Sequence, residues 1–207
     1  CGGAAIHLIK KHGAKSVIGI DIEPLVIKKA EELAVQHDLS SSTQFRCVKP
    51  GPLDIQDESI DIVFSKEVFL HFPNKEYLLK DIYRVLKPKG MIVVSDLMRV
   101  DDNPPSKQMQ EYIAAEGLDM HMCSLKNYEQ LLNNTGFTDI TLTDRNSWYL
   151  DKAKQELADI EGSLKKKVID VIGLEETNGA IDIWKKLIGV LEIGEHRPGH
   201  FRAKKLS

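Results

Sequence analysis

The sequence lacks the features that mark several classes of protein. It has 28 Lys and Arg against 31 Asp and Glu, so it has no basic excess that would attract nucleic acids or anionic membranes. No apolar run approaches a membrane-spanning helix, and the longest candidate, residues 91–94, has the length of a strand. Three widely spaced cysteines form neither a disulfide framework nor a zinc site. We therefore expect a cytoplasmic protein without a metal, nucleic-acid or membrane partner.

The chain also lacks an initiator Met. It opens on Cys1-Gly2-Gly3, a glycine turn with nothing before it. A doubly wound sheet places a strand before such a turn, so we expect the first strand to be missing from this sequence. The absence of a signal peptide then carries little weight.

Strand-like and helix-like segments alternate along most of the chain. β-Branched apolar runs predict strands, and a 3.6-residue apolar period predicts helices. The predicted strands are 16–20, 44–48, 60–64, 91–95, 138–143 and 200–204, and the predicted helices are 4–12, 24–37, 75–86, 108–116, 125–135, 150–172 and 175–193. Short connections between them predict one α/β domain over residues 1–207, with a doubly wound, mostly parallel sheet.

Polar and glycine residues follow the predicted strands. In a parallel sheet the carboxyl ends of the strands share one edge, and ligands bind there. Gly2-Gly3, Asp21, Ser65-Lys66-Glu67 and Asp96 all fall on that predicted edge.

The glycine turn and Asp21 together indicate a nucleotide-like cofactor. Glycines at a helix N-terminus let backbone N–H groups approach a ligand, and Asp21, 18 residues after Gly3, could accept hydrogen bonds from a ribose diol. The pattern serves NAD, FAD and S-adenosylmethionine alike. A tight turn and a helix cap are the simpler alternative.

A longer segment narrows the choice. Residues 57–96, DESIDIVFSKEVFLHFPNKEYLLKDIYRVLKPKGMIVVSD, resemble the segment around the third strand of class I S-adenosylmethionine-dependent methyltransferases. The resemblance implies a Rossmann-like, seven-stranded sheet, a helical cap at about 99–123, extra helices at about 150–193, and S-adenosylhomocysteine as product. It also implies cofactor contacts from Cys1, Gly2, Gly3, Asp21, Ile22, Ser65 and Lys66.

The stretch from Ser65 to His71 is more specific. It resembles the S-[RKQ]-[DE]-x-φ-x-H signature of phosphoethanolamine and sarcosine/dimethylglycine N-methyltransferases. The resemblance implies that Glu67 and His71 face the methyl-accepting nitrogen of a small-molecule amine. Their spacing would place both on one face of a helical turn. Packing of His71 among its apolar neighbours is the structural alternative.

Two positions depart from these families. Alignment on Glu111-Tyr112 puts Glu116 where phosphobase methyltransferases carry an Arg that holds phosphate, and Leu118 where they carry a Tyr. A carboxylate repels phosphate, so the departure favours a zwitterionic or cationic amine, with Arg145 or Lys185 as a compensating cation.

The second departure concerns the adenine. Pro50 stands where relatives offer a backbone N–H, so we expect Gly51, Leu53 or apolar contact from Ile22 to hold that ring.

Three aromatic residues are candidate substrate-binding walls, because an aromatic face suits a methylated ammonium: Tyr112, Trp148 and Tyr149. Ordinary packing is the alternative for each. Residues 108–117 form a predicted short helix in a polar insert between core strands, which indicates a lid or a fixed cap.

Other functions remain open at this point. They are methyl transfer to oxygen or carbon of another small molecule, nicotinamide-dependent oxidoreduction on the same glycine turn, and a non-catalytic scaffold.

Overall fold

A computed structural model describes residues 2–207 and divides the chain into two compact units, Cys1–Pro52 and Leu53–Ser207. Each unit has its own sheet. The single domain of residues 1–207 stays a prediction. Within the described residues, no helix combines the length and apolar character needed to cross a membrane.

The first unit is a short α/β pattern. Its elements are α1 (Gly3–His12), β1 (Val17–Asp21), α2 (Pro24–Gln36) and β2 (Thr43–Cys47). Strands β1 and β2 are parallel and end together, with Asp21 opposite Cys47. Pro24 lies in the first turn of α2, where a missing N–H breaks no helical hydrogen bond.

The second unit carries the larger sheet. Its elements are β3 (Ile60–Lys66), a 3₁₀ turn (Phe69–His71), α3 (Lys75–Val85), β4 (Leu86–Asp96), α4 (Lys107–Glu116), α5 (Leu125–Thr135), β5 (Phe137–Asp144), α6 (Asn146–Glu161), α7 (Lys165–Ile172), α8 (Leu174–Glu192) and β6 (Gly199–Lys205). The strand order is β3-β4-β6-β5. Strands β3 and β4 are parallel, whereas β6 runs antiparallel to both β4 and β5.

The predicted sheet is therefore confirmed only in its α/β class. The described residues contain six strands in two sheets, and the seven-stranded sheet is not confirmed. In the second unit, β3, β4 and β5 run in one direction and β6 runs against them, so the sheet of this unit is mixed. The reason is that β6, the last strand, inserts between β4 and β5 in the opposite direction.

The predicted helix over 150–172 also needs correction. Helix α6 already begins at Asn146, and it ends at Glu161, where Gly162 caps it. Glycine is a poor helix former, and it separates α6 from α7 although the apolar period continues across it. Helix α5 begins as predicted, because the Ser124 hydroxyl accepts a hydrogen bond from the Asn127 backbone N–H.

Two apolar clusters hold the second unit together. One lies on the sheet and includes Phe69, Leu79, Ile92 and Phe201. The other joins α4, α6 and α8 through buried residues such as Met109, Tyr112, Ala153, Leu187 and Val190. The second cluster fixes the helices beside the strand ends, and a cavity opens there.

Candidate functional site

The cavity of the second unit lies at the carboxyl ends of β3 and β4 and has a volume of about 440 Å³. We call its first side the strand-end wall, formed by Lys66, Glu67, Ser95, Asp96 and Leu97. We call the side built by α6, the residue before it and α8 the helix wall; it is formed by Arg145, Trp148, Tyr149, Lys152, Ala153, Glu156 and Trp184. Pro198, Gly199 and His200 complete the lining. Neither a carboxylate cluster nor a His/Cys group with the composition of a metal site occurs within residues 2–207.

Glu67 is held at this cavity by its backbone. It directly follows β3, its N–H donates to the Ser95 carbonyl at 2.8 Å, and its φ is 53°. A non-glycine residue in this left-handed region carries about 1–2 kcal/mol of strain. Lys66 Nζ lies 3.7 Å from Glu67 Oε1. Strain of this kind persists where the surrounding structure imposes it, which is common at functional sites.

His71 lies on the 3₁₀ turn and is exposed, and it is not part of the cavity lining. Its Nδ1 is 2.9 Å from the carbonyl oxygen of Asp119. A carbonyl can only accept, so Nδ1 carries the proton and Nε2 of the neutral ring is left as the acceptor. The ring therefore presents a base on its far side.

The helical spacing argument for Glu67 and His71 was wrong. Glu67 has a positive φ and precedes the 3₁₀ turn, so the two residues do not share a face of one helix. The strand end positions Glu67, and the turn together with the Asp119 carbonyl positions His71.

Asp96 ends β4 and is 1% exposed. Burial raises the pKa of Asp96 to about 6, although hydrogen bonds from the Tyr128 hydroxyl and from backbone groups act in the opposite direction. The Tyr128 hydroxyl donates to Asp96 Oδ2 at 2.9 Å. The strand-end wall thus carries a second carboxylate besides Glu67, and burial raises the pKa of this second one, Asp96, to about 6.

The three predicted aromatic residues occupy different places. Trp148 and Tyr149 line the cavity, whereas Tyr112 is 1% exposed, packs in the cluster of α4, α6 and α8, and is not part of the lining. Burial, followed by the charge of Glu67, raises the pKa of Tyr149 to about 12. Burial, followed by Glu116, also raises the pKa of Tyr112, and its hydroxyl is hydrogen-bonded to that carboxylate. Tyr149 therefore lies near carboxylates, whereas Trp148 lies under the Arg145 guanidinium at 4.6 Å.

The predicted cofactor residues Gly2, Gly3, Asp21 and Ile22 lie in the first unit. Gly2 has φ 73°, and a Cβ there would lie 2.8 Å from Ala30 Cα, so packing alone requires glycine at this position. Gly3 opens α1 with free space around it, and no side chain caps the helix. Asp21 Oδ1 accepts from the Glu23 N–H at 3.0 Å, and Ile22 is 58% exposed. An uncapped helix start and a carboxylate at a strand end fit a nucleotide-like cofactor.

The remaining predicted cofactor residues differ in whether they are free to contact a ligand. Cys1 lies outside the described residues. The backbone N–H of Leu53 donates to Asp81 at 2.5 Å, so a protein acceptor already occupies it. Gly51 has φ 152° and open space around it. Ser65 Oγ is buried and finds no partner within residues 2–207, and a bound molecule can complete such a hydroxyl. All these roles stay predictions.

Sequence reasoning missed several residues of the cavity lining, among them Lys152, Glu156, Trp184 and His200. Lys152 and Glu156 are four apart on α6, and a helical projection would have placed them on the face of Trp148 and Tyr149. Trp184 and His200 arrive from distant elements, and no local pattern indicates them.

Comparison with known proteins agrees with this architecture. Residues 1–94 match the family model described as a methyltransferase domain. Phosphoethanolamine N-methyltransferase 1 of Arabidopsis thaliana is 30% identical over 204 residues, which are 99% of this chain and 40% of that protein. The chain thus spans about two fifths of the length of this curated relative.

Solved structures agree over almost the whole chain. A protein assigned as a sarcosine dimethylglycine methyltransferase of Galdieria sulphuraria matches with a TM-score of 0.86 and 25% identity, over 99% of this chain and 75% of that one. Phosphoethanolamine N-methyltransferase 2 of Haemonchus contortus, solved with phosphomonomethylethanolamine and S-adenosylhomocysteine, matches with a TM-score of 0.89 and 22% identity. That match covers 100% of this chain and 47% of the other. The chain has the class I methyltransferase fold. Its resemblance to the phosphoethanolamine and sarcosine/dimethylglycine group is confirmed.

Proposed function

We propose that this chain transfers a methyl group from S-adenosylmethionine to the nitrogen of a small-molecule amine. The observation that carries the proposal is the cavity at the ends of β3 and β4, whose lining brings together Glu67, Asp96, Trp148 and Tyr149. Carboxylates and aromatic faces attract ammonium groups. The relatives named above, phosphoethanolamine and sarcosine dimethylglycine N-methyltransferases, support the same reaction.

Within the first unit, Gly2, Gly3, Asp21 and Ile22 would hold the cofactor. The uncapped N–H groups at the start of α1 suit its polar end, and the free Asp21 oxygen suits a ribose hydroxyl. When bound, S-adenosylmethionine supplies an activated methyl group on a positively charged sulfur. The protein then needs only to orient a nitrogen that has lost its proton.

The second unit would supply that orientation. Glu67 binds the ammonium form of the acceptor and fixes the direction of its nitrogen. His71 Nε2, left basic because Nδ1 donates to the Asp119 carbonyl, takes up the proton directly or through water. Trp148 and Tyr149 cover the methylated side of the amine and exclude water.

The carboxylates around Tyr149 weigh against a phosphate on the acceptor beside that ring. Glu67, Glu156 and Glu116 all act on Tyr149, and each raises its pKa. Glu116 stands where the phosphobase enzymes would carry an Arg, and here it is engaged with Tyr112. The chain therefore favours a zwitterionic or cationic amine.

A methyl-transfer screen tests the function. The chain is incubated with labelled S-adenosylmethionine and phosphoethanolamine, glycine, sarcosine, dimethylglycine or an aromatic amine, and products are identified by mass spectrometry. We expect N-methylated product together with S-adenosylhomocysteine. Silence with every amine, alongside methylation of an oxygen or carbon acceptor, would overturn the assignment to nitrogen. Calorimetry showing tight binding of NADH and none of S-adenosylhomocysteine would favour an oxidoreductase.

A further inference from the structure

One cation of the cavity lining differs from the others. Arg145 precedes α6, its backbone N–H donates to the Pro198 carbonyl at 2.8 Å, and its guanidinium lies over the Trp148 ring at 4.6 Å. The first contact fixes the backbone of Arg145, and the second holds its side chain against Trp148 in the helix wall. A stacked, planar guanidinium is suited to bind a planar anion through two hydrogen bonds.

Arg145 has no anionic partner within residues 2–207. Its Nε is buried and makes no hydrogen bond with any residue that the structure describes. The neighbouring Asp144 is engaged elsewhere, since Oδ2 pairs with Arg197 Nη1 at 3.2 Å and Oδ1 accepts from the Asn146 N–H. The charge of Arg145 acts on His200: burial and then Arg145 lower the pKa of His200. A buried guanidinium N–H without an acceptor is costly, so a ligand is expected to complete it.

The charges around the cavity limit what that ligand can be. Its lining holds three cations, Lys66, Arg145 and Lys152, and three carboxylates, Glu67, Asp96 and Glu156. Lys66 is already close to Glu67. A lining of zero net charge suits an acceptor of zero net charge.

We propose that Arg145 binds the carboxylate of the acceptor, and that the acceptor is therefore an amino acid whose amine faces Glu67. This inference rests on the proposed amine methyl transfer and names its substrate class. Arg145 is then the residue that selects a carboxylate over a phosphate or a neutral group.

The test compares wild type with Arg145→Gln and Arg145→Lys, and uses Arg202→Gln on β6 as the matched control. Each is assayed with dimethylglycine, with its neutral amide, and with phosphoethanolamine. We expect Arg145→Gln to raise KM for dimethylglycine by about 10- to 100-fold, because two charged hydrogen bonds are lost. We expect the KM of Arg145→Lys for dimethylglycine to lie between those of wild type and Arg145→Gln. Turnover of the amide by Arg145→Gln should stay within about 3-fold of wild type. All values for the Arg202→Gln control should also stay within about 3-fold of wild type.

Calorimetric binding of dimethylglycine, measured with S-adenosylhomocysteine present, gives a second readout that needs no turnover. Equal dimethylglycine binding and KM in wild type and Arg145→Gln would overturn the inference and leave amine methylation standing. A wild-type preference for phosphoethanolamine that Arg145→Gln abolishes would also overturn it, in favour of phosphate. If wild type methylates no amine, the proposed function fails, and weaker binding in Arg145→Gln would still support the carboxylate site.

Discussion

The two walls of the cavity are built in different ways. The strand-end wall consists of residues at the carboxyl ends of β3 and β4, and backbone hydrogen bonds such as Glu67 to Ser95 fix them. The helix wall consists of side chains on α6 and α8, and apolar packing against α4 fixes them. The first wall carries the predicted chemistry and the second wall carries the proposed selectivity. Changes to the strand-end wall should therefore alter turnover, whereas changes to the helix wall should alter the choice of acceptor.

The largest effect is expected on the strand-end wall. Glu67→Gln keeps the shape and removes the charge, and we expect kcat/KM to fall by about 10³-fold because the ammonium loses its counter-charge. Binding of S-adenosylhomocysteine, measured by calorimetry, should stay within about 3-fold of wild type. Retained turnover would show that this wall does not carry the chemistry.

A pH experiment compares Asp96 of this wall with His196, which lies outside it and is fully buried beside Tyr112. Burial raises the pKa of Asp96 to about 6, so its contribution to stability grows as pH falls from about 6 to about 4. Burial lowers the pKa of His196 to about 4, so its contribution is present above pH 6.5 and is lost over nearly the same window. Each effect is about 3 kcal/mol, and they oppose each other.

Denaturant unfolding between pH 7 and 4 separates the two. As pH is lowered from 7 to 4, the free energy of unfolding of Asp96→Asn should fall by about 3 kcal/mol relative to that of wild type. That of His196→Gln should rise by a similar amount relative to wild type. Parallel curves for wild type and both variants would contradict this balance.

Substitution of His71 tests whether the 3₁₀ turn and the strand-end wall act in the same reaction. We expect His71→Gly to lower kcat by about 10²-fold, because no group at that position then accepts the amine proton. Added imidazole should restore part of the rate in His71→Gly and none in Glu67→Gln. Failure of imidazole to rescue the first variant would assign His71 a structural role.

The smallest effect is expected on the helix wall. Trp148→Leu removes the ring that lies under Arg145 and should raise KM for the acceptor by about 10-fold with kcat nearly unchanged. Trp148→Phe keeps an aromatic face and should stay within about 3-fold. A fall in kcat with KM unchanged would contradict the different roles assigned to the two walls.

The same contrast explains what the sequence could predict. Glu67 directly follows β3 and Asp96 ends β4, so a local pattern of apolar residues followed by a carboxylate indicated both strands and their ends. Trp184 and His200 reach the cavity only because α8 packs on α6 and β6 pairs with β4 and β5, and such long-range contacts leave no local pattern. The place of β6 in the sheet also depends on long-range contacts, since β6 pairs with residues of β4 more than a hundred positions earlier.

The backbone of Glu67 has a consequence for how this protein tolerates change. Glycine or asparagine would relax the positive φ at this position, so selection for thermal stability alone would remove the carboxylate. A stabilised library of this chain should therefore accumulate substitutions at Glu67 when it is screened for folding, and retain Glu67 when it is screened for turnover. The strained position thus separates the demands of folding from those of function at a single residue.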